Sequence, residues 1–226
     1  MSSGRVFRFG PCASESGRER RPSRLFVFLH GCGATAQSMI PIAFKFQARF
    51  PSAALVVPSG FDPGARGSGA QDWYPTLGLN VDNHRERVAA VLPDVEDLVR
   101  REQTNFGVPA GRTVLIGYSQ GGTVALESVK TPGLAAAVVA FSSRFARLPG
   151  KGARIASRIH LVHGEFDSVV SRVYAERAAR VLLGLHVPVT LDIVEHLGHS
   201  LSHHAISLGS LRLLQGIYEG RSATLH

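Results

Sequence analysis

The chain has 226 residues, 44% of them hydrophobic, a size that suits one domain burying roughly 70% of its unfolded surface. The formal net charge is +8, but the cationic residues form no clear patch or recognition motif, which favours a basic soluble enzyme over a nucleic-acid or membrane binder. With two cysteines, no secretory-signal pattern and no apolar run of about 18 residues, the sequence argues against a disulfide framework and a membrane span, so we expect a cytoplasmic protein.

Short apolar runs alternate with segments of helical periodicity, which predicts an α/β domain with a mainly parallel sheet and helices on both faces. The predicted strands are 25–30, 53–60, 112–119, 134–143, 158–167 and 189–199, the last of these ranges including the loop that follows the strand. The predicted helices are 39–50, 81–107, 120–130, 171–185 and 205–218. Pro93 is expected to kink or divide the second helix. Residues 61–80 are rich in glycine, proline and polar residues and predict a long loop.

The first 24 residues form an Arg/Ser/Gly-rich segment that is distinct in composition from the rest of the chain. We assign to it an edge strand of the sheet around Val6–Phe9. Residues 25–226 are expected to form a single domain, and no internal repeat divides them.

The stretch TVLIGYSQGGTVALESV, residues 113–129, ends a buried strand at Gly117 and starts an Ala/Leu-rich helix just after Ser119. Gly117 and Gly121 remove side chains that would collide around a sharp strand-to-helix turn. Such a turn forces the serine into a sparsely populated backbone region, at a cost on the order of 1–3 kcal/mol. It also puts the hydroxyl at a helix N-terminus, where N–H groups can receive negative charge. The Gly-x-Ser-x-Gly pattern in this context predicts that Ser119 is a nucleophile.

A serine nucleophile needs a base that removes its proton and a carboxylate that orients the base. In a fold of this type the chain order is Ser, then Asp or Glu, then His. Asp167 follows the fifth strand and is the predicted acid, although a helix cap is the structural alternative; Glu165 is the fallback, and Asp192 lies inside a strand pattern. His199, in a glycine-containing loop before the last helix, is the predicted base, with His196 as the alternative.

The tetrahedral intermediate of acyl transfer needs hydrogen-bond donors for its oxyanion. One is the backbone N–H of Gln120, the residue after the nucleophile, and the other comes from the loop HGCGA after the first strand. Gly31 and Gly33 let that loop approach closely, which favours the N–H of Cys32 as the second donor, while its sulfur is expected only to pack. Neither cysteine lies at ligand spacing from a histidine, so we expect no metal and no cofactor.

The segments LHGCG, DWYP, GYSQGG, HGEFDSVV and LGHS occur in an order that resembles the phospholipase/carboxylesterase family of α/β-hydrolases, which includes the acyl-protein thioesterases. The resemblance spans nearly the whole predicted domain and is greatest to a small bacterial esterase branch. It implies an α/β-hydrolase fold. It also implies a catalytic triad of Ser119, Asp167 and His199. The oxyanion hole that it implies is formed by the backbone amides of Cys32 and Gln120.

Two positions concern the loops around the expected site. Trp73 resembles the family's loop tryptophan beside the acyl site and is predicted, with Gly31, to contact substrate; the alternative is that Trp73 anchors the long loop. The family's first loop usually reads His-Gly-x-Gly-Asp. Ala34 replaces the acid here, which we expect to loosen that loop.

The expected function is hydrolysis of carboxylic esters with short to medium acyl chains through an acyl-enzyme on Ser119. A thioesterase acting on acyl-proteins or small molecules, and a non-catalytic binding protein that kept the fold, are the alternatives. The expected partner is a small-molecule or acylated ester substrate. Nucleic acid and stable membrane insertion are not expected, and a homodimer is left open.

Overall fold

The computed structural model describes residues 5–12, 21–63 and 69–222, so Arg18 and Arg20 of the arginine-rich segment lie outside the described residues. The strands are β1 (Val6–Phe9), β2 (Arg24–Leu29), β3 (Ala53–Pro58), β4 (Thr113–Tyr118), β5 (Ala137–Phe141), β6 (Arg158–Gly164) and β7 (Val189–Val194). The helices are α1 (Ala36–Arg49), α2 (Val81–Phe106), α3 (Gln120–Ser128), α4 (Val173–Gly184) and α5 (His203–Ser222). None of these helices combines the length and the hydropathy needed to cross a membrane.

The seven strands form one sheet in the order β1-β3-β2-β4-β5-β6-β7. Strands β2 to β7 are mutually parallel, and β1, in the segment predicted as an edge strand, runs antiparallel to β3. This architecture confirms the predicted α/β fold. Because the carboxyl ends of parallel strands meet at one edge, the loops after β2, β4, β6 and β7 gather there.

Alternate side chains of the central strand β2 enter two apolar cores. Phe26 and Phe28 pack with α1 and α5 on one face of the sheet, and Val27 and Leu29 pack with α2, α3 and α4 on the other. Both faces of the central strands are therefore buried. This explains why these strands are continuous apolar runs in the sequence rather than alternating patterns.

Two helices differ from their predicted form. Helix α1 begins at Ala36 rather than at Met39, because Ala36 is already fully buried in the core that α1 shares with α5. Helix α2 is continuous through Pro93, so Pro93 does not divide it. Pro93 and Ala89 both face solvent, and water can hydrate the Ala89 carbonyl that lacks a helical N–H partner.

His160 on β6 is a buried ionisable group whose charged form the fold disfavours. The residue is 1% exposed, and its Nδ1 lies 2.9 Å from Thr190 Oγ1. Within the described residues its Nε2 has no hydrogen-bond partner. Burial lowers the pKa of His160 to about 4, and Arg158 and Arg212 act in the same direction.

We therefore expect the free energy of unfolding to fall as the pH falls from 6.5 towards about 4. In this window the unfolded chain binds a proton at His160 and the folded chain does not, which changes stability by about 1.4 kcal/mol per pH unit. His84, whose pKa is also lowered to about 4 by burial and by Arg144, adds to the same trend. For His160→Leu, urea unfolding across this window should show a free energy of unfolding that changes less with pH than in the wild type, by about 1.4 kcal/mol per pH unit. An equal pH dependence in the two proteins would contradict the prediction.

Candidate active site

Ser119 lies at the turn between β4 and α3. Its φ of 53° and ψ of −115° fall outside the regions that non-glycine residues ordinarily adopt. The turn is fixed by the Ser119 N–H, which donates to Phe141 O at 2.9 Å, and by its carbonyl, which accepts from Thr123 N at 3.0 Å. The hydroxyl is thereby presented at the N-terminus of α3.

Two glycines allow the chain to pass through this turn. A Cβ at Gly117 would overlap the backbone of Gly121, and a Cβ at Gly121 would overlap the carbonyl oxygens of Leu29 and His30. The second contact seats the start of α3 directly on the end of β2. The glycines are therefore needed for the packing of two elements as well as for the shape of the turn.

The imidazole predicted as the base lies within hydrogen-bonding distance of the serine. His199 Nε2 is 3.0 Å from Ser119 Oγ, and His199 Nδ1 is 2.8 Å from Asp167 Oδ2 and 3.0 Å from Oδ1. Because a carboxylate only accepts, Nδ1 carries the proton and Nε2 accepts from the hydroxyl. The arrangement can pass the serine proton to the imidazole.

Tyr118 holds the loop that carries His199. Its hydroxyl donates to His199 O at 2.9 Å, and the centroids of the two rings are 5.2 Å apart. Burial raises the pKa of Tyr118 to about 12, and the negative charge of Asp167 acts in the same direction. The hydroxyl therefore stays protonated and remains a donor to the loop.

Asp167 is a buried carboxylate that the surrounding donors keep ionised. Its side chain is 0% exposed, and Oδ1 accepts from the N–H groups of Val169 at 3.0 Å and Val170 at 2.8 Å. Burial alone would raise the pKa of Asp167, but the hydrogen bonds from His199 and from these amides outweigh it and lower the pKa below its ordinary value. Asp167 does not cap α4, whose N-cap is Arg172.

A second imidazole contacts Asp167, and the sequence analysis did not identify it. His163 Nε2 lies 2.7 Å from Val170 O and 3.2 Å from Asp167 Oδ2. Since a carbonyl only accepts, Nε2 carries the proton and shares it with the carboxylate. Burial lowers the pKa of His163. The neutral ring thus orients Asp167 without adding a charge.

The alternatives considered for the acid and the base make other contacts. Glu165 Oε2 accepts from His196 N at 3.2 Å. Asp192 lies inside β7 and pairs with Arg212 at 2.7 Å, as its position in the strand pattern suggested. The ring of His196 packs against Phe166, with centroids 5.8 Å apart. None of these contacts involves the serine.

The loop after β2 passes close to the nucleophile. A Cβ at Gly31 would lie 2.9 Å from the Tyr118 ring and 3.6 Å from Ser119 Cβ. This approach is compatible with an oxyanion donor at the next residue, Cys32. Cys32 is exposed, so the expectation that its sulfur packs into the protein is wrong.

The same loop is tied to the long loop between β3 and α2. Gly33 N donates to Asp72 Oδ1 at 2.6 Å, and Gln71 N donates to Ala34 O at 3.0 Å. The loosening expected from Ala34 is therefore not observed, because the acid that fixes the loop comes from Asp72. The sequence analysis missed this partner, which lies 39 residues further along the chain.

His30 also has a role that the sequence analysis missed. Its Nδ1 lies 2.8 Å from Gly31 O, and its Nε2 accepts from Gly60 N at 3.0 Å. Burial lowers the pKa of His30, and these bonds fix the neutral ring with its proton on Nδ1. The signal in the sequence was the His-Gly pair at the end of a buried strand, which recurs as His163-Gly164.

The side chain of Gln120 joins the serine turn to the long loop. Its Oε1 accepts from Trp73 N at 2.8 Å and its Nε2 donates to Tyr74 O at 2.8 Å. Trp73 is 1% exposed, and its Nε1 donates to His30 O at 2.9 Å. These contacts support Trp73 as the anchor of the loop, and its contact with substrate stays a prediction.

Replacing Gln120 by leucine is expected to lower the free energy of unfolding by about 2 kcal/mol or more, because two buried backbone groups lose their partners at about 1–3 kcal/mol each. Urea unfolding measures this loss. Gln37→Leu, at an exposed position of α1, is the control and should have little effect. An equal loss in both variants would contradict the assigned contacts.

The side chains gathered at this edge of the sheet suit acyl transfer, which needs a nucleophile, a base and an orienting acid within bonding distance. In the part of the chain that the structure describes, no group of three or more His, Cys, Asp or Glu side chains is placed to hold a metal ion. Cys12 and Cys32 are both exposed and form no disulfide.

Known proteins are similar to this chain in sequence. The model of the phospholipase/carboxylesterase family matches residues 13–208. The chain is 39% identical over 189 residues to esterase YpfH from Escherichia coli (strain K12), an alignment that covers 83% of this chain and 81% of that protein. It is 26% identical over 171 residues to acyl-protein thioesterase 1 from Cryptococcus neoformans var. neoformans serotype D, covering 70% and 71%.

Solved structures share the fold. The crystal structure of esterase PE8 has a TM-score of 0.82 at 24% identity and covers 94% of this chain and 98% of its own. The Bacillus cereus carboxylesterase has a TM-score of 0.72 at 16% identity over 92% of each chain. At these sequence identities the solved structures establish only the fold. The match to the family model over most of the chain establishes membership of that family. The chain is an α/β-hydrolase that belongs to the phospholipase/carboxylesterase family.

Proposed function

We propose that this chain hydrolyses carboxylic esters with short to medium acyl chains through an acyl-enzyme on Ser119. Ester hydrolysis is the activity expected of its family, and an esterase is among its relatives. The observation that carries the residue assignment is the hydrogen-bonded series from Asp167 through His199 to Ser119, with distances of 2.8 and 3.0 Å.

In the first half-reaction Ser119 Oγ attacks the acyl carbon while His199 Nε2 accepts the hydroxyl proton. The imidazolium is stabilised through Nδ1–H by Asp167, which stays ionised. The carbonyl oxygen becomes an oxyanion, which accepts hydrogen bonds from the N–H groups of Cys32 and Gln120. His199 then donates its proton to the leaving alkoxide, and the alcohol departs from the acyl-enzyme.

Water completes the cycle by the same steps in reverse. His199 removes a proton from a water molecule, and the resulting hydroxide attacks the acyl carbon. The tetrahedral intermediate then expels Ser119 Oγ, which takes the proton back from the imidazolium, and the acid is released. Every atom of the products comes from the ester and water, so the balance needs no cofactor.

Exposed apolar side chains near Asp167 support binding of the acyl chain of the substrate. Phe166 and Val169 are 60% and 69% exposed and flank Asp167 in the chain, so they offer apolar surface at the same edge of the sheet. Thioester hydrolysis is the second candidate function, because the acyl-enzyme would be the same and a relative is an acyl-protein thioesterase.

The test of this proposal is labelling with a fluorophosphonate probe, combined with rates for p-nitrophenyl esters of increasing acyl length. We expect labelling and turnover in the wild type and neither in Ser119→Ala, with the highest kcat/KM at a short or medium chain. A parallel series of acyl thioesters distinguishes the two candidates by their kcat/KM. A folded wild type that is neither labelled nor active would favour a non-catalytic binding protein.

We also propose a cytoplasmic location, which is supported by two cysteines that form no disulfide. Fractionation of cells that express the chain tests it, and recovery with the membrane or secreted fraction would contradict it.

Sedimentation equilibrium decides whether the chain forms a homodimer.

A further inference from the structure

We propose that Arg144 makes this site select esters that carry a carboxylate group close to the scissile bond. The inference rests on the function proposed above and adds a substrate class to it. Arg144 lies beside the serine turn, and neutral groups hold its guanidinium.

Arg144 follows β5 at the edge of the sheet that carries Ser119. The last residue of β5, Phe141, accepts a hydrogen bond from Ser119 N at 2.9 Å. Ser143 packs so closely on Gly122 that a Cβ at Gly122 would overlap the Ser143 hydroxyl. The segment that leads into Arg144 therefore lies directly against the serine turn and the start of α3.

Neutral groups hold the guanidinium in place. Arg144 Nη2 donates to His84 Nδ1 at 3.3 Å, and the guanidinium carbon lies 4.8 Å from the centroid of the Tyr174 ring. Since arginine only donates, His84 Nδ1 accepts and its Nε2–H donates to the Tyr74 hydroxyl at 3.0 Å. The backbone carbonyl of the same tyrosine accepts from Gln120 Nε2 at 2.8 Å. Arg144 is thus linked through His84 to a residue whose backbone binds the side chain of Gln120.

The charge of Arg144 has no acidic partner among the described residues, since none of their ion pairs includes it. Arg158 and Arg212, which are similarly half-buried, bind Glu219 and Asp192 at 2.8 and 2.7 Å. Arg144 instead has only a neutral imidazole and an aromatic ring. Partial burial of the Arg144 guanidinium costs hydration free energy, and no carboxylate offsets that cost.

A half-buried guanidinium with free donors is a binding site for an anion of matching geometry. The planar fork fits a carboxylate, and partial burial strengthens the interaction relative to one in bulk water. Because the residue that carries the fork follows β5 at the edge that carries Ser119, the substrate itself can supply that carboxylate. The carboxylate can belong to the acyl part or to the alcohol part of the ester.

The experiment compares charged and neutral esters of matched size in the full-length protein. Mono-p-nitrophenyl glutarate and p-nitrophenyl pentanoate place the charge on the acyl part, and 4-butyryloxybenzoate and phenyl butyrate place it on the alcohol part. We expect Arg144→Gln to lower kcat/KM for the charged member of one pair about tenfold more than for the neutral member. The loss should appear mainly in KM, and Arg144→Lys should retain part of the preference.

Arg147→Gln is the control, because it removes one exposed cation of the same loop and should change the two members of each pair equally. Equal losses in both pairs for Arg144→Gln would overturn the inference. Thermal melting of each variant shows whether the fold is intact.

Binding to an inactive protein separates this inference from the proposed function. Calorimetric titration of Ser119→Ala with monoethyl glutarate and with 4-butyryloxybenzoate should show binding of at least one, weakened about tenfold by adding Arg144→Gln. Unchanged affinity in the double variant, or no binding of either ester, would overturn the inference even if Ser119 proves to be the nucleophile. Turnover that survives Ser119→Ala would instead overturn the proposed function alone.

Discussion

Alanine at position 199 is expected to lower kcat/KM for p-nitrophenyl butyrate by about 10⁴- to 10⁶-fold while leaving the fold intact. Without the imidazole no group within bonding distance of Ser119 Oγ accepts its proton, so the hydroxyl stays a poor nucleophile. His199 contributes little to the core because its ring lies at the surface edge, with 16% of the side chain exposed. Initial rates and circular dichroism of the purified variant measure the two effects separately.

His196→Ala is the matched control, because His196 lies in the same loop but packs against Phe166. It should retain turnover within about tenfold of the wild type, since a single apolar ring contact is worth about 1 kcal/mol. A near-normal rate in His199→Ala, or a greater loss in His196→Ala, would transfer the role of base to His196 and remove the basis of the mechanism.

The largest effect on stability is expected from Gly121→Ala. The added methyl group would overlap two backbone carbonyl oxygens, Leu29 O and His30 O, and neither can rotate away as a side chain would. Overpacking usually costs about 1–3 kcal/mol, and we expect a loss of about 3 kcal/mol or more because α3 must move away from β2. Urea unfolding gives the free energy, and loss of p-nitrophenyl ester turnover should accompany it.

Gly184→Ala makes the same chemical change near the end of α4, where an added Cβ meets no atom within 4 Å. Its free energy of unfolding should stay within about 1 kcal/mol of the wild type, in line with helix propensity. If the two variants lose equal stability, the contact between the serine turn and the end of β2 does not have the importance assigned to it.

The sequence alone allowed the sheet and the principal candidates to be predicted because their signals are local. Buried parallel strands are continuous apolar runs, and the glycines around Ser119 stand in one short motif. The order of strand ends predicted Asp167 and His199, and the structure brings His199 to the serine and Asp167 to His199. Their catalytic roles remain part of the proposal.

The contacts that could not be predicted join distant parts of the chain. Asp72 binds Gly33 across 39 residues and His84 binds Arg144 across 60, and no periodicity or spacing encodes such pairs. The continuity of α2 through Pro93 depends on which side of the helix meets solvent, and this is decided only when the sheet and helix pack. The exposure of Cys32 is likewise a property of the assembled loop.

Tyr118 has a consequence for how the reacting atoms move. It precedes Ser119 in the chain, and its hydroxyl donates a hydrogen bond to the backbone carbonyl of His199. We therefore expect thermal displacement of the serine turn to move the imidazole together with the hydroxyl, so that the distance between Ser119 Oγ and His199 Nε2 varies less than the position of either atom relative to the sheet. Such correlated motion would keep the two atoms within hydrogen-bonding distance for proton transfer while the surrounding surface loops move.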